Sequence, residues 1–458
     1  MSRIDSDGYL QESLTGQYDG MYCRTVGAMV PLLLETKNYD NAKLLLKFVF
    51  KVMKMYKMNR VPHVIGQKVI HTGNTERDSI YIIGKTDQID GQAHNILAWA
   101  QLALKRGRTS FEDSTWNFVA GLMDRSTEEP YMDSDKKGFI PDLIHNFNFE
   151  HSRPLPTNYD LLTQCFTGSA LEAMIQVAKR RNDNEKIKLW SKRLNILKAG
   201  IGKYLTRELN GRGIYLELLS KDGQSNKPFS GFSWVNLSPI AAQWEPLNHK
   251  VLVNTVDEMR KQMMQQWNNI TWMPTENWPN GDFSGQMIGK GIGWEIEYAR
   301  EEKDWEWINQ ILYMLEVIQR NESIYMENSF LTTGSNHSIE YLNQKELKRM
   351  YNGVWKIVDP GNGEQAAWWC WAIAKLRKEL GLSAIPEKLC PTPEIKISNQ
   401  SKFTADIEIT SSPGTLIYYS FDGSEPSNNS IRYSHPVSVA KPAIIKAVAY
   451  GKNNVVSN

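Results

Sequence analysis

The chain is short of the features that mark several protein classes. It has four cysteines in 458 residues, Cys23, Cys165, Cys370 and Cys390, with no CxxC pair and no metal-ligand spacing. They read as buried thiols, and no disulfide framework is implied. Charge of one sign is lacking too, because 53 basic side chains face 51 acidic ones for a formal net charge of +2. Without a basic excess or a Lys/Arg tract there is no electrostatic footprint for nucleic acid, so none is expected as a partner. Apolar runs near Leu32 and Ile96 stop well short of the ~20 residues of a membrane span. No apolar stretch follows Met1, so no secretion signal is expected where the chain begins. The eight histidines show no HExxH or paired spacing, and no phosphate-binding glycine loop joins a strand to a helix. Neither a metal nor a nucleotide cofactor is expected.

Aromatic residues are plentiful, with 15 Trp, 19 Tyr and 14 Phe. Their flat apolar faces with one polar edge suit the C–H faces of sugars, although a large helical core uses tryptophan simply to fill space. Up to about residue 385 apolar residues recur at three- and four-residue spacing, as in HNILAWAQLALK and FTGSALEAMIQVAKRR. β-Alternation is nearly absent there. About twelve helices are expected, starting near residues 14, 40, 90, 112, 160, 185, 235, 249, 288, 303, 338 and 364. They fall into six pairs, one helix of most pairs apolar on nearly all sides and the other charged on one face. Buried helices inside amphipathic ones have that signature, and six such hairpins closed into a ring make an (α/α)6 toroid over residues 1–385.

After Pro386 the pattern changes to alternation with Pro, Gly, Ser and Asn at short intervals, which predicts a small β-sandwich over residues 389–458. Two prolines in KLCPTPE mark the boundary. The run Ile417-Tyr418-Tyr419-Ser420-Phe421-Asp422-Gly423-Ser424-Glu425-Pro426, followed by Tyr433 and Ile445-Lys446-Ala447, resembles the fibronectin-like module at the C-terminus of chitobiase and β-hexosaminidase types. That resemblance implies an accessory role.

In such a toroid the starts of the inner helices line one pocket, where helix N-termini favour anionic groups. Carboxylates, Arg and Trp recur at those starts: Tyr18, Asp19, Tyr22 and Arg24; Asp87, Gln88 and Asp90; Glu150, Tyr159 and Asp160; Trp234 and Asn236; Trp294 and Glu295; and Glu327, Glu340, Asp359, Glu364 and Gln365. For any single Asp or Glu a helix cap is the commoner role. The ordered series resembles the six-hairpin glycosidases, particularly the glucoamylase family with its glucosidase and trehalase relatives. Tyr22-Cys23-Arg24-Thr25-Val26 followed by MVPLLLETKNYDNAKLLLKF matches that family's WxRDA start, with Thr25 where the family has aspartate. Gln88-Ile89-Asp90-Gly91-Gln92-Ala93 matches its second inner helix, and Phe149-Glu150-His151-Ser152-Arg153 matches WExR. Tyr325-Met326-Glu327-Asn328-Ser329-Phe330-Leu331-Thr332-Thr333-Gly334 matches its ExYxxxTG element.

The resemblance implies an inverting, exo-acting hydrolase of an α-linked glycan. Glu150 would be the general acid and Glu327 the general base, with Glu364 in Gly361-Asn362-Gly363-Glu364-Gln365 as the rival. Arg24 would hold the innermost sugar, Tyr18, Trp234 and Trp294 would wall the pocket, and Asp87, Asp90 and Glu364 would bind hydroxyls. Hydrolysis needs one acid for the leaving oxygen and one carboxylate for water, and ~6.5–9.5 Å between them gives inversion. Thr25 cannot supply the charge-assisted bonds of an aspartate, so weak action on starch and maltose is expected unless Asp19, Asp87 or Asp90 supplies a carboxylate. Two other readings remain: a polysaccharide lyase using Asn336, His337 and Tyr341, and a carbohydrate-binding toroid without catalysis. A monomer is expected, working in the periplasm or outside a bacterial cell.

Overall fold

The computed structural model describes residues 4–12, 20–72, 75–83, 90–128, 142–145, 157–220, 232–267, 270–273, 287–319, 328–331, 350–351, 355–358, 362–385, 393–401, 403–424, 426–440 and 442–451. Two compact units divide the chain, Met1–Leu382 and Ser383–Asn458.

Eleven α-helices are described in the first unit: α1 (Thr25–Glu35), α2 (Tyr39–Met55), α3 (Asp90–Arg106), α4 (Ser110–Ser126), α5 (Leu161–Arg181), α6 (Asn184–Tyr204), α7 (Ser238–Ala241), α8 (His249–Met263), α9 (Gly289–Glu301), α10 (Trp305–Gln319) and α11 (Gly363–Glu379). Packing runs from α1 to α3, α5, α7, α9 and α11, and α11 returns to α1, which closes a ring of six inner helices. The remaining helices lie outside it. Residues of α9 are buried from Gly289 to Ala299 on every side, whereas α6 buries only Trp190, Leu194, Leu197, Gly200 and Ile201. This is the (α/α)6 toroid.

Inner helices approach closely where they carry glycine. A Cβ on Gly27 of α1 would lie 2.3 Å from the His94 ring of α3, and one on Gly293 of α9 would lie 2.8 Å from the Trp368 backbone of α11. Helix ends follow local chemistry. Asp160 caps α5 by accepting from the Thr163 N–H at 2.6 Å, and Asn182, left-handed at φ 59°, ends it.

Three expectations need correction. The first inner helix starts at Thr25 and not near residue 14, because Met21–Tyr22 form strand β1 against Ile65 and Val64. The fourth inner helix is a 3-10 turn, Trp234–Leu237, and one α-turn, with Pro239 in the first turn of α7 and left-handed Gln243 just after it. β-Structure is also far from absent in this unit. The strands are β2 (Val64–Thr72) and β3 (Thr75–Ile82), which pair with β1, then β4 (Thr157–Asp160) with β7 (Leu218–Ser220), β5 (Thr206–Leu209) with β6 (Arg212–Tyr215), and β8 (Gln265–Trp267) with β9 (Ile270–Trp272). A four-stranded sheet adds β10 (Met287–Ile288), β11 (Asn328–Leu331), β13 (Trp355–Val358) and β12 (Met350–Tyr351), in that order. β2 and β3 form a hairpin of nine and eight residues, and Gly73-Asn74 is its signal in the sequence, whereas the remaining strands span two to four residues and several pair with distant segments, which local periodicity does not report. The helix expected near 338 lies outside the described residues.

The second unit holds two three-stranded antiparallel sheets. One is β14 (Glu394–Ser398), β15 (Thr404–Thr410) and β18 (Val437–Ala440); the other is β17 (Ile431–Arg432), β16 (Leu416–Ser420) and β19 (Lys446–Tyr450). Ile407, Ile409 and Tyr419 form their shared core. At the Asp422-Gly423-Ser424 turn, Gly423 takes φ 82° and Asp422 accepts from the Ser424 N–H at 3.0 Å.

Candidate active site

Strands deliver the chain into inner-helix starts: β1 precedes α1, β4 runs into α5, β10 into α9, and β13 precedes α11. Contacts between these starts show that they share one end of the ring. Arg24, the residue before α1, makes a mostly buried ion pair with Asp90, the first residue of α3. Burial alone would raise the Asp90 carboxyl, but the Arg24 guanidinium, with His94 and His63, holds it below the usual carboxylate range. Asn95 donates to the carbonyl of Cys23 at 2.8 Å, which ties α3 to the strand-to-helix turn that presents Arg24.

A second cluster joins α1, α9 and α11. Thr25 donates its hydroxyl to the Glu12 carboxylate, whose other oxygen accepts the Glu364 N–H at 2.8 Å. The Lys290 ammonium, only 4% exposed as a residue, lies 3.6 Å from the Glu364 carboxylate and 4.0 Å from the centre of the Trp234 ring. Its backbone N–H donates to the Gln365 side chain. Thr25 is thus bonded to the Glu12 carboxylate, and Asp90 is engaged by Arg24.

Beneath these charges lies an aromatic floor. His94 stacks on Phe166 at 3.6 Å, Phe166 meets Trp368 at 6.4 Å, Trp368 meets Trp294 at 5.4 Å, and Trp294 meets Trp234 at 5.8 Å. Burial lowers the His94 pKa to about 4 against the pull of Asp90, whose carbonyl its Nδ1 bonds at 2.8 Å. The ring is neutral near pH 7. Five inner segments contribute one ring each.

On the opposite side of the ring the polar groups cap their own segments and bond to neighbouring ones. Asp160 is consumed by capping α5. Ser233 and Asn236 form a reciprocal cap of the 3-10 turn, and the Ser233 hydroxyl donates to Glu217 at 2.6 Å.

The structure brings Arg24, Asp90, Glu364, Trp234 and Trp294 to this end of the ring, with two corrections of role. Trp234 and Trp294 are each 1% exposed and pack on one another, and Lys290 covers a face of Trp234, so they form floor and not open pocket walls. Glu295 points to the outer helices, where burial pushes its carboxyl from the ordinary 4.5 to about 8 against the opposing pull of Arg260. Tyr18, Asp19, Asp87, Gln88, Glu150, Glu327, Glu340 and Asp359 lie outside the described residues, as do Asn336, His337 and Tyr341. Asn328, which follows Glu327 in sequence, pairs with Ile288 immediately before α9. Glu12 and Lys290 were missed, because neither lies in a recognisable motif. Among the described residues no group of three or more His, Cys, Asp or Glu is placed to hold a metal ion, and no helix is long and apolar enough to cross a membrane.

Comparison with known structures places this architecture. A metal-independent alpha mannosidase of Streptococcus pneumoniae, in a non-productive complex with alpha-1,6-mannobiose, is similar over 81% of this chain and 89% of its own, at 12% identity and a TM-score of 0.56. A wild-type glycosidase is similar over 83% of this chain and 94% of its own, at 10% identity and a TM-score of 0.49. A bacterial glucoamylase complexed with acarbose is similar over 62% of this chain and 42% of its own, at 13% identity and a TM-score of 0.43. The fold assignment rests on the first of these: the barrel has the toroid fold of the six-hairpin glycosidases. Residues 407–458 match the family model described as Fn3 associated, so the C-terminal unit carries a fibronectin-associated module. No curated protein matches the chain in sequence.

Proposed function

We propose that the chain is a glycoside hydrolase, exo-acting and inverting, that works on an α-linked oligo- or polysaccharide with Glu150 as general acid and Glu327 as general base. The observation that carries this reading is a cluster of paired charges at the inner-helix starts, next to buried aromatic rings. Arg24, Asp90, Glu364 and Lys290 gather at one end of the ring, its mouth, beside a chain of buried aromatic residues packed mostly edge to face. Buried charges of both signs are costly to keep in a core, and a sugar-binding site is a reason to keep them. The Asn328 pairing beside α9 supports a base from the preceding residue. Glu364 is already engaged by Lys290 and suits holding substrate better than activating water. The C-terminal unit is read as an accessory module.

Activity on a panel of α- and β-linked disaccharides, including maltose and α-1,6-mannobiose, with proton NMR of the first anomer released, tests the proposal. Release of the β-anomer from an α-linkage, with maltose among the poorer substrates, is expected. Release of the α-anomer would overturn inversion. Sugar binding without hydrolysis of any glycoside would favour a non-catalytic toroid.

A further inference from the structure

We infer that Glu12 is a positioning residue of the mouth, holding Glu364 and the Arg24–Thr25 turn where they meet substrate. The inference rests on the glycosidase reading for its functional consequence.

Glu12 is 3% exposed and bonded through backbone and side chain alike. Its N–H donates to the Gly20 carbonyl at 2.8 Å, its carbonyl accepts from the Gly363 N–H at 2.8 Å, and its two carboxylate oxygens take the Glu364 N–H and the Thr25 hydroxyl. The residues held are the first two of α11 and the first of α1, so one carboxylate spans the N-termini of both helices, where unpaired N–H groups and the helix dipoles favour negative charge. It joins positions 352 residues apart, at the place where the first and last inner helices close the ring.

A simple capping role does not account for this. Asn362 already caps α11 by accepting from the Gln365 N–H at 3.1 Å. What Glu12 adds is a fixed relation between two elements that each carry site side chains: Glu364 with its Lys290 partner on one, and Arg24 with its Asp90 partner on the other. If that relation slips, the sugar-holding groups no longer converge, while the reacting carboxylates proposed at Glu150 and Glu327 stay unchanged. The cost then falls on substrate binding.

The test compares Glu12→Gln, Thr25→Val and Thr25→Ser with the parent chain on its best glycoside, together with thermal unfolding and amide exchange at residues 363–364. Glu12→Gln is nearly isosteric and should fold. Its KM is expected to rise about tenfold or more with kcat changed much less, the pattern of lost binding common to ground and transition states. Thr25→Val should shift KM in the same direction, and Thr25→Ser, which keeps the hydroxyl, should recover most of the loss. A purely structural role would lower the active fraction and leave KM alone, so folded Glu12→Gln with the parental KM overturns the inference. If the parent chain cleaves no glycoside, the functional reading fails by itself and exchange decides. Faster exchange at residues 363–364 in Glu12→Ala supports the positioning role, and unchanged protection there removes it.

Discussion

The two sides of the mouth use polar residues differently. At the starts of α5 and the 3-10 turn, Asp160, Ser233 and Asn236 cap their own segments, and Ser233 and Asn236 also reach Glu217 and the Tyr215 carbonyl. At the starts of α1, α3, α9 and α11, Arg24, Asp90, Glu12, Lys290 and Gln365 bond across from one segment to another. Both arrangements satisfy buried groups and both bury carboxylates, Asp160 and Glu217 on the first side, but the second joins charges of opposite sign across segments, Arg24 with Asp90 and Lys290 with Glu364. A fold that needed only stability would cap all its inner helices in the first way. The difference sets the α1, α3, α9 and α11 side apart as the one proposed to hold substrate.

The largest expected effects fall on the residues that would do the chemistry. Glu150→Gln and Glu327→Gln should each lower kcat by ~10²–10⁴-fold with the fold intact, as read by steady-state kinetics and circular dichroism. Glu364→Gln should act mainly on KM. An inactive Glu364→Gln beside an active Glu327→Gln would move the base to α11 and extend the charged side to the chemistry itself.

Next in size is Asp90→Asn, which leaves the mostly buried Arg24 guanidinium without its counter-charge. Urea unfolding should show a loss of ~3 kcal/mol or more, and a loss under ~1 kcal/mol would place this pair with ordinary surface salt bridges.

Glu295 sharpens the comparison from below, as a buried charge site with no part in the mouth. Its carboxyl titrates near 8 in the folded chain against the ordinary 4.5. The native state thus holds the proton longer, so this group's contribution is fully present below about pH 4.5 and is lost as pH rises through about 8. Unfolding midpoints between pH 5 and 8 should fall less steeply in Glu295→Gln than in the parent, and parallel profiles would show that the carboxyl is not the source.

The smallest effect is expected on the capped side. Asp160→Ala removes a helix cap and should cost ~1–2 kcal/mol of stability with kcat/KM within about twofold. A tenfold drop in kcat/KM with stability unchanged would erase the distinction between the two sides.

Much of the helical ring was readable along the chain. The periodicity of DGQAHNILAWAQLALK predicts α3, and Asp160 and Asn182 bound α5 by a cap and a left-handed stop. What misled was length scale. The run through Met21–Tyr22 continues a helical pattern by composition, yet pairing with Val64–Ile65 takes it into a strand. At the fourth inner position α7 begins only at Ser238, with Pro239 in its first turn, and left-handed Gln243 ends it after a single turn.

Helix position, helix ends and the switch to β-structure after Pro386 follow from side-chain period, caps and prolines, all of which act within a few residues. Arg24, Asp90 and Glu364 could be singled out in the same way, by their places at inner-helix starts. Which partners they meet could not. Glu12 reaches Glu364 across 352 residues, and Lys290 rests on Trp234 only because α9 lies beside the 3-10 turn in a closed ring. The same closure turns Trp234 and Trp294 into floor and sends Glu295 outward. Burial, ion pairing and aromatic packing depend on neighbours that come together only when the last inner helix meets the first, and no local pattern encodes them.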